Sequence, residues 1–241
     1  MNIHIGDRLG KKYEFLTFIP RYAKFVVLND VRYRNWKQCS EICRESDMYL
    51  VDGFIPKSGE VVYDIGSQYG DWTVLWAKKY SAEVYAFEAL ESNVSAIWDN
   101  IYVNDLYGKV SVINSFIGNG FTLSFERRGD MRVAGLSNVF SERSDRLDDL
   151  VKEYDFKSPD IIKIDVEGFE LAVLEGAEDI LLKKPRIIIE THSKLLRKAC
   201  ERLLTEYYGY TLKHVGRSVK GQRWMDEVSV LFFDGDGVKY G

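Results

Sequence analysis

The stretch Val61-Val-Tyr-Asp64-Ile-Gly66-Ser67-Gln68-Tyr-Gly70-Asp-Trp-Thr73 decides the fold. A β-branched run ends on a carboxylate, a glycine-bearing turn follows, and a helical pattern begins near Trp72. The spacing is D-x-G-x-x-x-G, not the G-x-G-x-x-G of dinucleotide-binding turns. Glycines at 66 and 70 permit positive φ and close approach of a ligand to the backbone. The helix start beyond them offers N–H groups to an anion. Charge separates the candidate ligands: a dinucleotide would press a pyrophosphate against Asp64, whereas S-adenosylmethionine brings an ammonium and a sulfonium. A unit pair at ~4 Å is worth about 4 kcal/mol at an effective dielectric near 20, before desolvation. The turn Asp64, Gly66, Ser67, Gln68, Gly70 is therefore expected to hold the cationic ligand.

Working outward, Val84-Tyr-Ala-Phe-Glu88 is a second strand ending on a carboxylate. An acid about 20 residues after the first glycine is where nucleotide-binding α/β folds meet ribose hydroxyls. Two acceptor oxygens on Glu88 could take both hydroxyls. Ala89 follows it, and the end of a third strand, Asn114-Ser115-Phe116, is expected beside the adenine.

Short β-branched runs at 61–65, 83–87, 110–117, 160–165 and 186–191 alternate with helical patterns at 72–79, 93–102 and 167–182. That alternation predicts an α/β fold with a parallel sheet covered by helices on both faces. Runs such as Ile187-Ile-Ile189 fit strands buried on both sides. Strands at 210–215 and 228–233, joined without a helical pattern, predict an antiparallel sheet edge. Phe121–Arg127 and Met131–Val133 read as an inserted hairpin. Residues 1–52 differ in character: a hairpin over 25–33 and a helical stripe of Trp36, Cys39 and Cys43 form an attachment packed on a domain spanning 53–241.

The strand Asp160-Ile-Ile-Lys163-Ile-Asp165 runs into Val-Glu167-Gly168-Phe-Glu170. Alternation puts Lys163 and Asp165 on one face, and a buried lysine needs a carboxylate, for which Asp165 and Glu190 are the candidates. The next strand ends Glu190-Thr-His192, at the carboxyl ends where parallel sheets bind ligands. His192 is the histidine placed for proton transfer. Candidate catalytic residues are thus His192, Asp165, Glu167, Lys163 and Glu190, with Asp165 also lining the cofactor crevice. Acidic oxygens at Asp165, Glu167 and Glu190 would suit Mg2+, but the buried ammonium of Lys163 argues against it, and no metal is expected.

The 241 residues carry 33 Lys and Arg against 37 Asp and Glu, a net charge of −4, which argues against nucleic-acid binding through general phosphate attraction. At 46% hydrophobic residues the chain can build a core, which excludes disorder. No apolar run approaches the ~20 residues of a membrane span. Three cysteines without CxxC spacing, Cys39, Cys43 and Cys200, read as reduced and packed, so a cytoplasmic location is expected.

D-I-G-S-Q-Y-G-D-W-T, V-Y-A-F-E, S-D-R-L-D-D-L, I-I-K-I-D-V-E-G-F-E-L-A-V-L-E-G-A and I-I-I-E-T-H together resemble the FkbM family of S-adenosylmethionine-dependent methyltransferases over residues 50–195. The resemblance implies a class I methyltransferase (Rossmann-like) sheet of seven strands with a reversed last strand. It also implies methyl transfer to a hydroxyl oxygen of a sugar or small natural product. This chain departs from the family where G-A-N is replaced by Gly66-Ser67-Gln68, and E-P by Glu88-Ala89.

Two rival readings have distinct signatures. One is RNA or protein methylation, with Arg127, Arg128, Arg132, Arg217, Lys220, Arg223 and Trp224 as a basic, aromatic rim. The other is a non-catalytic S-adenosylmethionine-fold binding protein, which the intact acidic strand ends argue against. The preferred partner is a small-molecule or glycan hydroxyl.

Overall fold

β-Branched runs become strands and the amphipathic stretches between them become helices. The computed structural model describes residues 3–6, 12–16, 26–28, 30–34, 49–128, 131–134, 140–217 and 228–235. The chain opens with β1 (Ile3–Gly6), β2 (Lys12–Leu16), β3 (Val26–Leu28) and β4 (Val31–Tyr33), which form a four-stranded antiparallel sheet. The first βαβ units follow as β5 (Val61–Ile65), α1 (Asp71–Lys79), β6 (Glu83–Glu88), α2 (Glu91–Asn104) and β7 (Val110–Asn114). Next come β8 (Ile117–Gly118), β9 (Thr122–Arg128), β10 (Met131–Ala134), β11 (Phe140–Arg143), β12 (Asp145–Arg146) and α3 (Leu147–Tyr154). The last part comprises β13 (Ile161–Ile164), α4 (Glu170–Glu175), α5 (Glu178–Leu181), β14 (Arg186–Thr191), α6 (Lys194–Arg202), β15 (Thr211–Arg217) and β16 (Ser229–Asp234).

The central sheet has seven strands in the order β15-β16-β14-β13-β5-β6-β7. β14, β13, β5, β6 and β7 pair in parallel, and β16 pairs antiparallel with both β14 and β15. The reversed strand is the one expected from the helix-free connection between the last two runs. Alternate side chains feed two cores. Val62, Val84, Ala86, Ile161 and Ile188 pack with α1 and α2 residues such as Trp76 and Ile97. Tyr63, Ile65, Ile162, Ile164, Ile187 and Ile189 pack on the other face with Val173, Leu174, Ile180 and Cys200. Every residue of β5 is buried, which explains why the strand is apolar apart from Asp64.

Three elements differ from the sequence reading. The helical pattern over 167–182 divides into α4 and α5. A Cβ on Gly176 would lie 1.9 Å from the carbonyl oxygen of Gly118, so the chain breaks where two backbones touch. Asp148, at the start of α3, then accepts from the Asp179 and Ile180 amides and caps α5 from outside. The run 110–117 ends as a sheet strand at Asn114, and β8 leaves to pair with β12. The inserted hairpin β9–β10 gains a third strand, β11.

The expected hairpin in the first fifty residues is β3–β4. Val31 and Tyr33 are fully buried in the α1–α2 core, and the Arg32 and Arg34 amides donate to Asn104 and Asn100 of α2. Tyr49 and Phe54 join the same core, so packing runs through position 52. Trp36, Cys39 and Cys43 lie outside the described residues. Cys200 is a buried free thiol, its pKa pushed up to about 12 by burial. Among the described residues no helix is long and apolar enough to cross a membrane.

Candidate active site

Register sets the floor of the site. Parallel pairing places Lys163 of β13 beside Asp64 of β5, and paired residues share a face. Lys163 Nζ lies 3.3 Å from Asp64 Oδ1 and 3.8 Å from Asp165 Oδ2, and Thr73 Oγ1 donates to Asp64 Oδ2 at 2.5 Å. Burial works against the ammonium's charge, but the fields of Asp64 and Asp165 outweigh it and hold its pKa above the ordinary lysine value. Asp64 has no solvent exposure. The expectation that Asp64 itself meets a cationic ligand is thereby corrected: its charge is spent on Lys163 beneath the turn. Asp64, rather than Glu190, joins Asp165 as the partner that pays for the buried lysine.

The glycine turn closes over this pair. Ser67 Oγ donates to the carbonyls of Asp64 and Phe87, and the Gly66 and Ser67 amides donate to the Phe87 carbonyl. Gly66 has φ 79°, and a Cβ there would lie 1.8 Å from the carbonyl oxygen of Asp165. The tips of β5 and β13 abut at a point where only glycine fits. Gly66→Ala is expected to cost about 2–3 kcal/mol from left-handed strain and backbone displacement. That should lower the thermal midpoint by on the order of 5–10 °C; an unchanged melting curve would contradict the close packing. Gly70, with φ 75°, leads into α1, which has no side-chain N-cap.

Glu88 staples the next strand tip to the turn. Its Oε2 accepts from the Gln68 amide at 2.8 Å, and its Oε1 accepts from the Leu90 amide at 2.8 Å and Asn93 Nδ2 at 3.2 Å. A carboxylate has about four acceptor sites, and among the described residues three are engaged. Glu88 can therefore take one further hydroxyl freely, not the pair expected from sequence. Burial raises its pKa, opposed by those same hydrogen bonds. Asn114 Nδ2 donates to the Glu88 carbonyl and Ser115 Oγ to Asp145, so these side chains brace the strand tips. Phe116 instead joins Phe125 and Phe169, with Ala89 and Val166 against them, as an apolar wall beside Glu88.

Beyond the floor, the ends of β13 and β14 assemble four carboxylates around His192. Nδ1 lies 2.7 Å from Glu170 Oε1. Nε2 lies 3.4 Å from Glu167 Oε2, 3.7 Å from Asp165 Oδ1 and 4.0 Å from Glu190 Oε1. Burial pulls the imidazole pKa down, but the Glu170 hydrogen bond and the fields of Glu170, Asp165 and Glu167 prevail and push it up to about 10. In this arrangement His192 keeps its proton at neutral pH, which corrects its expected role as the general base. Glu167 is raised by burial, against the lowering field of His192. It adopts φ 53° and is followed by Gly168 at φ 106°, while the Glu167 carbonyl accepts from the Ala134 amide of β10. Strained left-handed residues cluster at functional sites.

Two contributors were not legible in the sequence. Tyr49, fully buried and 141 residues from its partner, donates its hydroxyl to Glu190 Oε2. Nothing in local spacing signals such a contact. Arg132 of β10 reaches back over the crevice: its guanidinium lies 5.2 Å from the Phe116 ring and 4.7 Å from that of Phe125, and it donates to the Ala89 carbonyl and to Glu142. It is therefore a wall of the site rather than part of a basic rim. Arg127 and Arg128 are exposed, while Lys220, Arg223 and Trp224 lie outside the described residues.

Comparisons with known proteins identify the family and the fold. Residues 64–212 match the family described as "Methyltransferase FkbM domain". The hexuronic acid methyltransferase AglP of Haloferax volcanii is 26% identical over 159 residues, covering 61% of this chain and 62% of that protein. The crystal structure of Methyltransferase FkbM from Methylobacillus flagellatus superposes with a TM-score of 0.58 at 17% identity, over 77% of this chain and 46% of that one. M. jannaschii TYW2, solved in complex with AdoMet, gives 0.53 at 18% identity, over 87% and 85%. The chain thus spans less than two thirds of the length of the first two. The solved structures share the fold, and the family match covers more than half of the chain, with Asp64, Glu88, Asp165 and Glu190 all inside it: the protein belongs to the FkbM methyltransferase family.

Proposed function

We propose that the protein transfers a methyl group from S-adenosylmethionine to an oxygen of a sugar or sugar-like small molecule. The observation that carries this reading is the carboxylate-rich crevice of Asp165, Glu167 and Glu190 beside the glycine turn, flanked by the free acceptor site of Glu88 and the apolar wall of Phe116, Phe169, Ala89 and Val166. This donor set fits the cofactor's parts: carboxylates for its cationic centre, Glu88 for one ribose hydroxyl, aromatic rings for the base, and the uncapped start of α1 for its carboxylate. When bound, the cofactor supplies a methyl group on a sulfonium that is already a good leaving group.

The protein's own work is alignment and proton removal. Glu167 takes the acceptor's proton: its carboxylate is part-exposed in the crevice and makes no hydrogen bond among the described residues. His192 orients the carboxylates from its fixed position on Glu170. Arg132 closes the wall above Ala89. The hexuronic acid methyltransferase relative supports a sugar acceptor.

Calorimetry and a transfer assay test the reading. One molecule of S-adenosylmethionine should bind per chain, and Glu88→Gln should weaken it about 10- to 100-fold, the worth of a hydrogen bond to a charged group. Labelled methyl should appear on oxygen when hexuronates and neutral sugars are offered. Absence of cofactor heat, or transfer to RNA or protein but to no sugar, would refute it.

A further inference from the structure

We propose that Asp165, Glu190 and His192 form a divalent-metal site at the mouth of the crevice, of the mixed nitrogen–oxygen kind that Mn2+ fills. The proposal rests on the crevice being the active site and adds a ligand to it. One donor atom from each residue lies within 4.8 Å of the others. Ions bound at about 2.0–2.2 Å by each ligand place neighbouring donors roughly 3–4 Å apart. His192 Nε2 stands 3.7 Å from Asp165 Oδ1 and 4.0 Å from Glu190 Oε1, in that range.

An ion pair alone does not account for this arrangement. An imidazole bonded to a carboxylate closes to about 2.7–2.9 Å, as Nδ1 does with Glu170. Nε2 remains 3.4 Å or more from three carboxylates and makes no hydrogen bond among the described residues. One ring nitrogen is thus fixed on a buried carboxylate while the other faces a carboxylate cluster unbonded, which is how metal-binding histidines are held. Outside the cluster, Glu170 is fully buried, accepts also from the Gly168 amide, and leaves its second oxygen, Oε2, without a partner among the described residues. A buried, half-satisfied carboxylate is costly, and orienting a metal-bound His192 gives it a purpose.

The ion takes the place of the proton that the carboxylates otherwise hold on His192 Nε2, and that proton leaves to solvent on binding. Lys163 does not block the ion. Its ammonium is nearest Asp64 and approaches Asp165 through Oδ2, whereas Oδ1 faces His192. Imidazole with two carboxylates favours Mn2+ over the all-oxygen preference of Mg2+ or Ca2+. Three protein ligands leave coordination positions for neighbouring oxygens of the acceptor, which narrows its class to sugars with vicinal hydroxyls or a hydroxyl beside a carboxylate.

The test is a Mn2+ titration of the chelator-stripped full chain, followed by electron paramagnetic resonance and calorimetry. The wild type should bind one Mn2+ per chain. Asp165→Asn and Glu190→Gln should each weaken it at least tenfold, and Glu170→Gln by about tenfold through His192. Circular dichroism and metal-free melting curves establish that each variant is folded. No saturable site, or one whose affinity moves less than threefold in both ligand variants, overturns the proposal. Cofactor calorimetry run in parallel separates the failures: Mn2+ binding without cofactor heat defeats the methyl-transfer reading alone, and cofactor heat without Mn2+ binding defeats the metal site alone.

Discussion

Replacing Lys163 with methionine is expected to destabilise the fold by about 3–5 kcal/mol, because it strands a buried charge. Asp64 has no solvent exposure, and Lys163 is the cation in contact with it, 3.3 Å away in a part of the sheet where every β13 residue is buried. Methionine fills much of the same volume, so little of the loss comes from packing. The Thr73 hydroxyl would remain as a donor to Asp64, but it carries no charge. For a chain of this size the penalty corresponds to a thermal midpoint lower by on the order of 10 °C. Asp64→Asn combined with Lys163→Met should regain most of the loss, since a neutral amide can keep the Thr73 contact. A Lys163→Met variant within about 1 kcal/mol of the parent in chemical denaturation would show that the pair is not the anchor of the turn.

Glu167→Gln is expected to lower kcat by about 10²- to 10⁴-fold, the usual contribution of a positioned base. The substitution keeps the shape of the side chain. The contact that holds this turn, from the Ala134 amide to the Glu167 carbonyl, belongs to the backbone and survives it. Cofactor affinity should therefore change by no more than about threefold, leaving the loss in turnover rather than in binding. Loss of cofactor binding in parallel with turnover would reassign Glu167 to the cofactor. Turnover within about fivefold of the parent would remove it from proton transfer.

The sheet was readable because its information is local. Strands of β-branched residues separated by helical periods leave few topologies for a chain to adopt, and the helix-free link between the last two strands marked the reversed one. The splits were less readable. A helix pattern over 167–182 gives no hint that Gly176 must touch Gly118, a residue of β8 far away in sequence. For the site, the strand-end acids named from the sequence do lie close together in the fold, but charge is distributed among them differently from the expectation.

That difference has one physical source. Residue type and spacing determined that acids stand at the tips of β5, β6, β13 and β14, that glycine forms the turn, and that a lysine is buried among them. Which acid neutralises which cation depends on register between strands and on distances of a few ångströms, where coulombic energy changes steeply. Only the folded chain settled that Asp64 belongs to Lys163, that four carboxylates hold the His192 proton, and that Tyr49 and Arg132 come from distant segments to line the same crevice.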